Sequence, residues 1–187
     1  MLVDTAIFLG ATKARIIPTD LVPVQEDIIE MCRAPACESF GQCANCPPYV
    51  MTSAEARKWI RSFNKALLVK YDLPTSELFG PSRMEPFRRM FVLVTALEDI
   101  SRHNGFERCA ALGAGSCKPV FCPKDTCSLL QGEQCRYPDL ARPSLEALGI
   151  NVFELADAVG WPLNRILRST NPETVPFASL IGMVLLG

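Results

Sequence analysis

The residues best suited to chemistry in this chain are its thiols. Nine cysteines occur in 187 residues, and eight fall into two proline-rich knots. Cys32, Cys37, Cys43 and Cys46 lie in the first, which ends CESFGQCANCPPY; Cys117, Cys122, Cys127 and Cys135 lie in the second, CKPVFCPKDTCSLLQGEQC. The ninth, Cys109, stands in the apolar stretch FERCAALGAG and reads as a small buried core residue. An odd count in a chain without an export signal argues against a disulfide framework, because a reducing compartment keeps thiols free. Metal ligation is the chemistry that remains. Thiolates bind zinc and iron alike, so spacing and companion ligands must decide.

Zinc modules commonly pair two close CxxC hooks and often add histidine. This chain has one histidine, His103, in a segment of helical pattern beside neither knot, where a surface role is expected. The cysteine gaps are 4, 5 and 2 residues in the first knot and 4, 4 and 7 in the second. Such loops can bring ligands to a cubane from several directions, and proline follows Cys46 and Cys122 as it follows the last cysteine of bacterial ferredoxin runs. Two [4Fe–4S] clusters are therefore expected, one per group of four, with zinc as the alternative cofactor. Lys118, Lys124, Arg136 and Arg142 border the second knot and could offset the charge of a thiolate-bound cluster. Solvated surface charge explains them nearly as well, since Asp125, Glu133 and Asp139 are interleaved. The glycines of GAGSC could aim backbone N–H groups at the sulfurs, or could form a simple turn.

The elements that position these residues follow from periodicity. Thr52 and Glu55 form a capping box that opens a helix through AEARKWIRSF, just after the first knot. NKALLVKYDL reads as a strand ended by Pro74. Ser82 and Glu85 predict a second capping box, followed by the longest helix with Phe87, Met90, Phe91, Val94, Leu97 and Ser101 on one face and Gly105 as its stop. ERCAALGA is a strand from whose end the second knot hangs. PSLEALG reads as a short helix, NVFELADAVG as a strand-to-helix passage, and the apolar tail VPFASLIGMVLLG as a buried strand, too short for the roughly 20 residues that cross a bilayer. The expected class is α/β or α+β, a single domain over residues 1–187 with a small mixed sheet flanked by helices.

Nearly half the residues are hydrophobic, enough for a real core. With 19 basic and 20 acidic residues and a formal charge of -1, the chain has no electrostatic footprint for nucleic acid or an anionic membrane. The N-terminal MLVDTAIFLGATKAR has Asp4 and no basic region ahead of its apolar run, so a secretory signal is not expected and the cytoplasm is.

These residues also carry a resemblance. CESFGQCANCPPYVMTSAEAR, with Cys32 ahead of it, and the later LGAGSC and CRYPDLARPSLEALGINVFEL resemble an uncharacterised family of predicted metal-binding proteins, a cysteine-rich domain of anaerobes. Cys32, Cys37, Phe40-Gly41, Cys46 and Pro47-Pro48 occupy the places of its first motif. Gly113 to Gly115, Cys117, Cys122, Cys127, Cys135, Arg136, Pro138, Arg142 to Ser144, Glu146-Ala147, Gly149-Ile150 and Val152 occupy those of its second. The chain departs from the family pattern in the wider gaps between Cys117, Cys122 and Cys127 and in the additional Cys43. The resemblance implies metal binding and names no reaction. Three functions fit eight thiolates: electron transfer to a redox partner protein, which needs only ligated clusters and a docking surface; an iron-sulfur enzyme with an open cluster iron; and a zinc-stabilised interaction protein. No paired carboxylates or His/Asp motif accompanies the knots, so electron transfer is the leading expectation.

Overall fold

The computed structural model of the protein describes residues 1–34 and 37–187. Its frame is a four-stranded sheet of β1 (Lys13–Pro18), β2 (Lys65–Leu73), β3 (Cys109–Leu112) and β4 (Ala178–Leu186), in the order β1-β2-β4-β3. All three ladders are antiparallel. The class is therefore α+β, and the mixed sheet expected from the sequence is corrected to an antiparallel one. The reason lies in β4. β2 and β3 do run in the same direction and are joined by a long helix, α4 (Glu85–His103), but β4 lies between them and pairs antiparallel with both. This is a split β-α-β arrangement.

β2 and β4 are apolar along most of their length because both faces of the sheet are covered. Alternate residues point to opposite faces. Ala66, Leu68, Ile181, Met183 and Leu185 join one core layer, while Leu67, Val69, Leu180, Val184 and Leu186 join the other. The first layer is completed by α3 (Ser53–Ile60) and α6 (Val152–Ala158), which contribute Ala56, Ile60, Leu155 and Ala156. The second is completed by α1 (Leu2–Phe8) and by α4 through Met90, Leu93, Val94 and Leu97.

Lys70 is the charged exception within β2. Its side chain is 2% exposed, with Nζ 3.0 Å from Asp72 and 5.1 Å from the Phe177 ring centre, so the buried cation is paired.

The capping box predicted for α3 forms: Thr52 N donates to Glu55 Oε2, and Glu55 N donates back to Thr52 Oγ1. The box predicted at Ser82 does not. There the Glu85 amide bonds the Ser82 carbonyl in a turn, and α4 begins after Met84 with Pro86 in its first turn. The face read for α4 is otherwise observed, with Met90, Phe91, Val94, Leu97 and Ser101 buried. PSLEALG forms only a single 3-10 turn, Glu146–Leu148, and NVFELADAVG supplies α6 with no strand before it beyond an isolated bridge between Val24 and Ile150. Asn151 takes the strand's place as a cap, its Oδ1 accepting the Glu154 amide. Two further helices, α2 (Glu26–Arg33) and the short α5 (Cys117–Phe121), carry cysteines. No helix of the described residues is long and apolar enough to cross a membrane.

Candidate metal centre

Three stretches of chain deliver the eight cysteines. Cys32 lies in the last turn of α2; Cys37, Cys43 and Cys46 lie on the loop that leads to α3; Cys117 opens α5, and Cys122, Cys127 and Cys135 follow it. The first loop folds back on itself through Gly41 N to Pro47 O at 2.8 Å and Cys46 N to Cys43 O at 3.1 Å. That turn drives Cys43 and Cys46 inward, to 1% and 7% exposure.

α5 hangs from β3 through Gly113–Ser116, and its placement depends on glycine. A Cβ on Gly113 would stand 2.4 Å from the ring of Phe91, so β3 runs out against α4 at a distance no other residue permits. Gly115 turns the chain with φ at +65°, in the left-handed region. The Gly113 amide donates to Pro143 O at 2.9 Å. At that position the glycine motif is a packing device and not a cradle for sulfur.

Ser116 is the hub. Its Oγ caps α5 by accepting the Lys118 amide at 3.2 Å, accepts from Cys46 Sγ at 3.3 Å, and lies 3.7 Å from Cys43 Sγ. Asn45 Nδ2 donates to Cys117 Sγ at 3.5 Å. Cys43, Cys46 and Cys117 thus form a buried trio. Hydrogen bonds from Cys117 first and Cys46 second pull the Cys43 thiol well below the ordinary thiol range, against its burial. The same bonds, followed by burial, push Cys46 and Cys117 up. The trio therefore favours one thiolate held by two thiols, and binding a metal must release the remaining protons.

Two wings flank this trio. On one side, Cys32 and Cys37 line a cavity together with Glu146. Burial, then the negative charges of Cys37 and Glu146, pushes the Cys32 thiol up. Burial also raises the Glu146 carboxyl, with a Ser144 hydrogen bond opposing it less strongly. On the other side, Cys122, Cys127 and Cys135 share a pocket of about 20 Å³ with Cys43 and Cys117. Its floor is aromatic: Phe121 stacks on Tyr137 with ring centres 5.3 Å apart and leans on Phe91 at 5.4 Å. The Tyr137 amide donates to Cys135 Sγ at 3.4 Å.

Sequence order assigns Cys117 to the second knot, but in space it lies against Cys43 of the first. The two knots are one continuous sulfur-rich region. Among the described residues, however, no group of three or more His, Cys, Asp or Glu side chains closes around a single point as a ready-made site for one metal ion.

Three of the four bordering cations have structural partners. Lys118 Nζ donates to Cys122 O at 2.6 Å, and Arg136 Nη1 donates to Thr126 O at 2.9 Å. Arg142 binds Glu98 of α4. They hold the loop in shape, whatever charge they also offset. Sequence reading did not single out Ser116 and Asn45, although each is next in sequence to a cysteine of the trio; the signal was their adjacency.

His103 ends α4 in an exposed position, its Nδ1 2.8 Å from the Asp99 carbonyl. Cys109 begins β3 outside both cysteine-lined cavities, with its Sγ 3.8 Å from Phe106 O and its thiol raised by burial. Cys109→Ala is expected to retain the full metal content of the parent protein in anaerobic metal analysis. A loss of half would place Cys109 among the ligands.

No curated protein and no solved structure matches the chain. The model of one family does match, over residues 15–186, which takes in all four strands but the first two residues of β1, and every cysteine. The protein belongs to that family, described as predicted metal-binding protein (DUF2284).

Proposed function

We propose that the eight knot cysteines hold two [4Fe–4S] clusters and that the protein passes single electrons to a redox partner protein. The observation that supports this is the meeting of Cys43 and Cys117 between two wings. Cys32, Cys37 and Cys46 make up one set of three and Cys122, Cys127 and Cys135 the other, so Cys43 and Cys117 divide between them as the fourth ligand of each. An exchange of ligands between two knots is known chemistry in two-cluster ferredoxins.

The donor set fits: it is all sulfur, with the single histidine at the far end of α4. Cys43, Cys46 and Cys117 stand close together, but the described residues hold no three such side chains closed around one point. A tetrahedral zinc with bonds of about 2.3 Å needs its four sulfurs about 3.8 Å apart around one point. In a cubane each cysteine binds its own iron, so the sulfurs stand farther apart. When bound, such a cluster supplies a reversible one-electron couple. The chain's part is to ligate every iron, so that no open position invites side reactions, and to keep the surroundings rigid. The stack of Phe91, Phe121 and Tyr137 and the braces from Lys118, Arg136 and Arg142 serve that end.

One observation favours a second reading, a zinc-stabilised interaction protein. The pocket under Cys122, Cys127 and Cys135 holds about 20 Å³, which suits an occupant the size of one water and is less than a cubane requires. On the cluster reading the loop from Cys122 to Cys135 moves outward on loading.

Metal analysis separates the two. Anaerobically purified protein is expected to carry about eight irons and eight sulfides per chain with little zinc. Dithionite should then produce electron paramagnetic resonance signals split by magnetic coupling, because the two clusters draw on cysteines in contact. Added cyanide should leave those signals unchanged. Tightly bound zinc with little iron overturns the cluster assignment, and a signal that shifts with cyanide replaces the relay by an enzyme with an open iron.

A further inference from the structure

Where α1, α4 and β2 come together, a groove of about 340 Å³ opens to solvent. That is within the range of sites for small organic ligands, roughly 300–1,000 Å³. Arg89, Val92, Leu93 and Ala96 of α4 line it at helical spacing, and Leu9 from the end of α1 and Tyr71 from β2 add to the wall. It shares no lining residue with the two cavities that the cysteines line.

Most of this wall is hydrocarbon. Leu9 and Val92 stay exposed on it, leaving apolar surface in water that an apolar body would cover.

The two polar side chains of the lining meet each other. Arg89 Nη1 donates to Tyr71 Oη at 3.1 Å, in an exposed contact. The Tyr71 hydroxyl accepts that bond, so its own proton is still to be donated, and it has no acceptor among the described residues. Arg89 Nε also faces Glu85 at 3.5 Å, and the same carboxylate stands 3.9 Å from Arg88. Two guanidinium groups thus share one carboxylate, which leaves one positive charge over. Arg89 and Glu85 are both about half in water, where such a pair is weak and yields to a competing anion.

A guanidinium with N–H groups to spare, beside a free phenol O–H and an apolar wall, selects its ligand by charge and shape. An ammonium would be repelled, and a neutral body would leave the spare charge unanswered. A dianion such as phosphate would exceed that charge and leave the hydrocarbon uncovered. A monocarboxylate accepts from both donors and balances the one charge.

We infer that this groove binds a small monocarboxylate with an apolar body, its carboxylate on Arg89 and Tyr71 and its hydrocarbon against Leu9, Val92, Leu93 and Ala96. None of the knot cysteines takes part in that contact, so failure of the cluster assignment leaves the site untouched.

Calorimetric titration of the full chain, purified anaerobically with its native metal, tests this with 3-phenylpropionate and its neutral isostere 3-phenylpropionamide. The acid is expected to bind about ten-fold more tightly or better, the margin of a charge-assisted hydrogen bond. Arg89→Gln, at an exposed helix position, should bring the two affinities to within about two-fold of each other. Tyr71→Phe keeps the ring, removes one donor, and should weaken the acid about five-fold. Ala96→Phe fills the groove and should weaken both ligands, with circular dichroism and metal content unchanged. The proposal is overturned if the acid does not bind, if acid and amide bind the native chain equally, or if Arg89→Gln or Ala96→Phe leaves acid affinity intact. It is overturned as well if the groove is covered by a second copy of the chain, seen in sedimentation as a native dimer that Ala96→Phe splits.

Discussion

Cys117→Ala is expected to lose about four of eight irons, as is Cys43→Ala, and the double variant to lose nearly all of them. The placement of the two sulfurs decides the outcome. Both line the pocket under Cys122, Cys127 and Cys135, and both belong to the trio around Ser116 with Cys46. Removing either leaves one set of four short by a ligand while the other set can still close. The double variant leaves only six knot cysteines, so neither set can be completed. Iron and sulfide analysis of the three variants beside Cys109→Ala reads the result directly. Full iron retention by both single variants would mean that neither sulfur is a ligand, and the division of the eight cysteines proposed above would fail.

Glu98→Ala is expected to destabilise the fold by about 3 kcal/mol, near the lower end for breaking a buried ion pair. The Glu98 side chain is 4% exposed. It is 2.7 Å from Arg102 and takes both Nε and Nη2 of Arg142, at 3.1 and 2.9 Å. Arg102 is half in water and loses little on its own. The Arg142 side chain is only 20% exposed and would keep just the carbonyls of Pro138 and Ala141. This desolvated cation without its counter-ion carries most of the cost. The segment that Arg142 anchors begins at Tyr137, whose amide holds Cys135, so metal retention should fall along with stability. A urea midpoint shows the effect. A change below about 1 kcal/mol would show that the two carbonyls alone satisfy Arg142.

Much of the frame was readable from the chain because it rests on local rules. The box of Thr52 and Glu55 fixed the start of α3, and apolar runs between polar breaks marked β2 and β4 as strands. Ser82 and Glu85 offered the same local signal and failed, because Pro86 and the turn at Ser82 start α4 two residues later by another route. The direction of the sheet was not local information. Nothing in LVKYDL or AALGA says that a segment more than sixty residues beyond β3 will come to lie between them. The cysteines divided in the same way. Their type announced metal chemistry, but their order along the chain hid the contact of Cys117 with Cys43, which arises only when Gly113 lets β3 pass against Phe91.

The interior place of β4 bears on how the protein is made. Among the described residues β3 pairs with β4 and with no other strand, and α5 hangs from β3. During synthesis, therefore, the anchor for Cys117 has no partner until β4, the last strand of the sheet in chain order, has left the ribosome. At roughly 5–20 residues per second, the stretch from Cys135 to the end of β4 takes several seconds to emerge. Through that interval all eight knot cysteines are already translated while the sheet that will position them is open, and a metal or cluster carrier has its widest access before the last strand closes the frame.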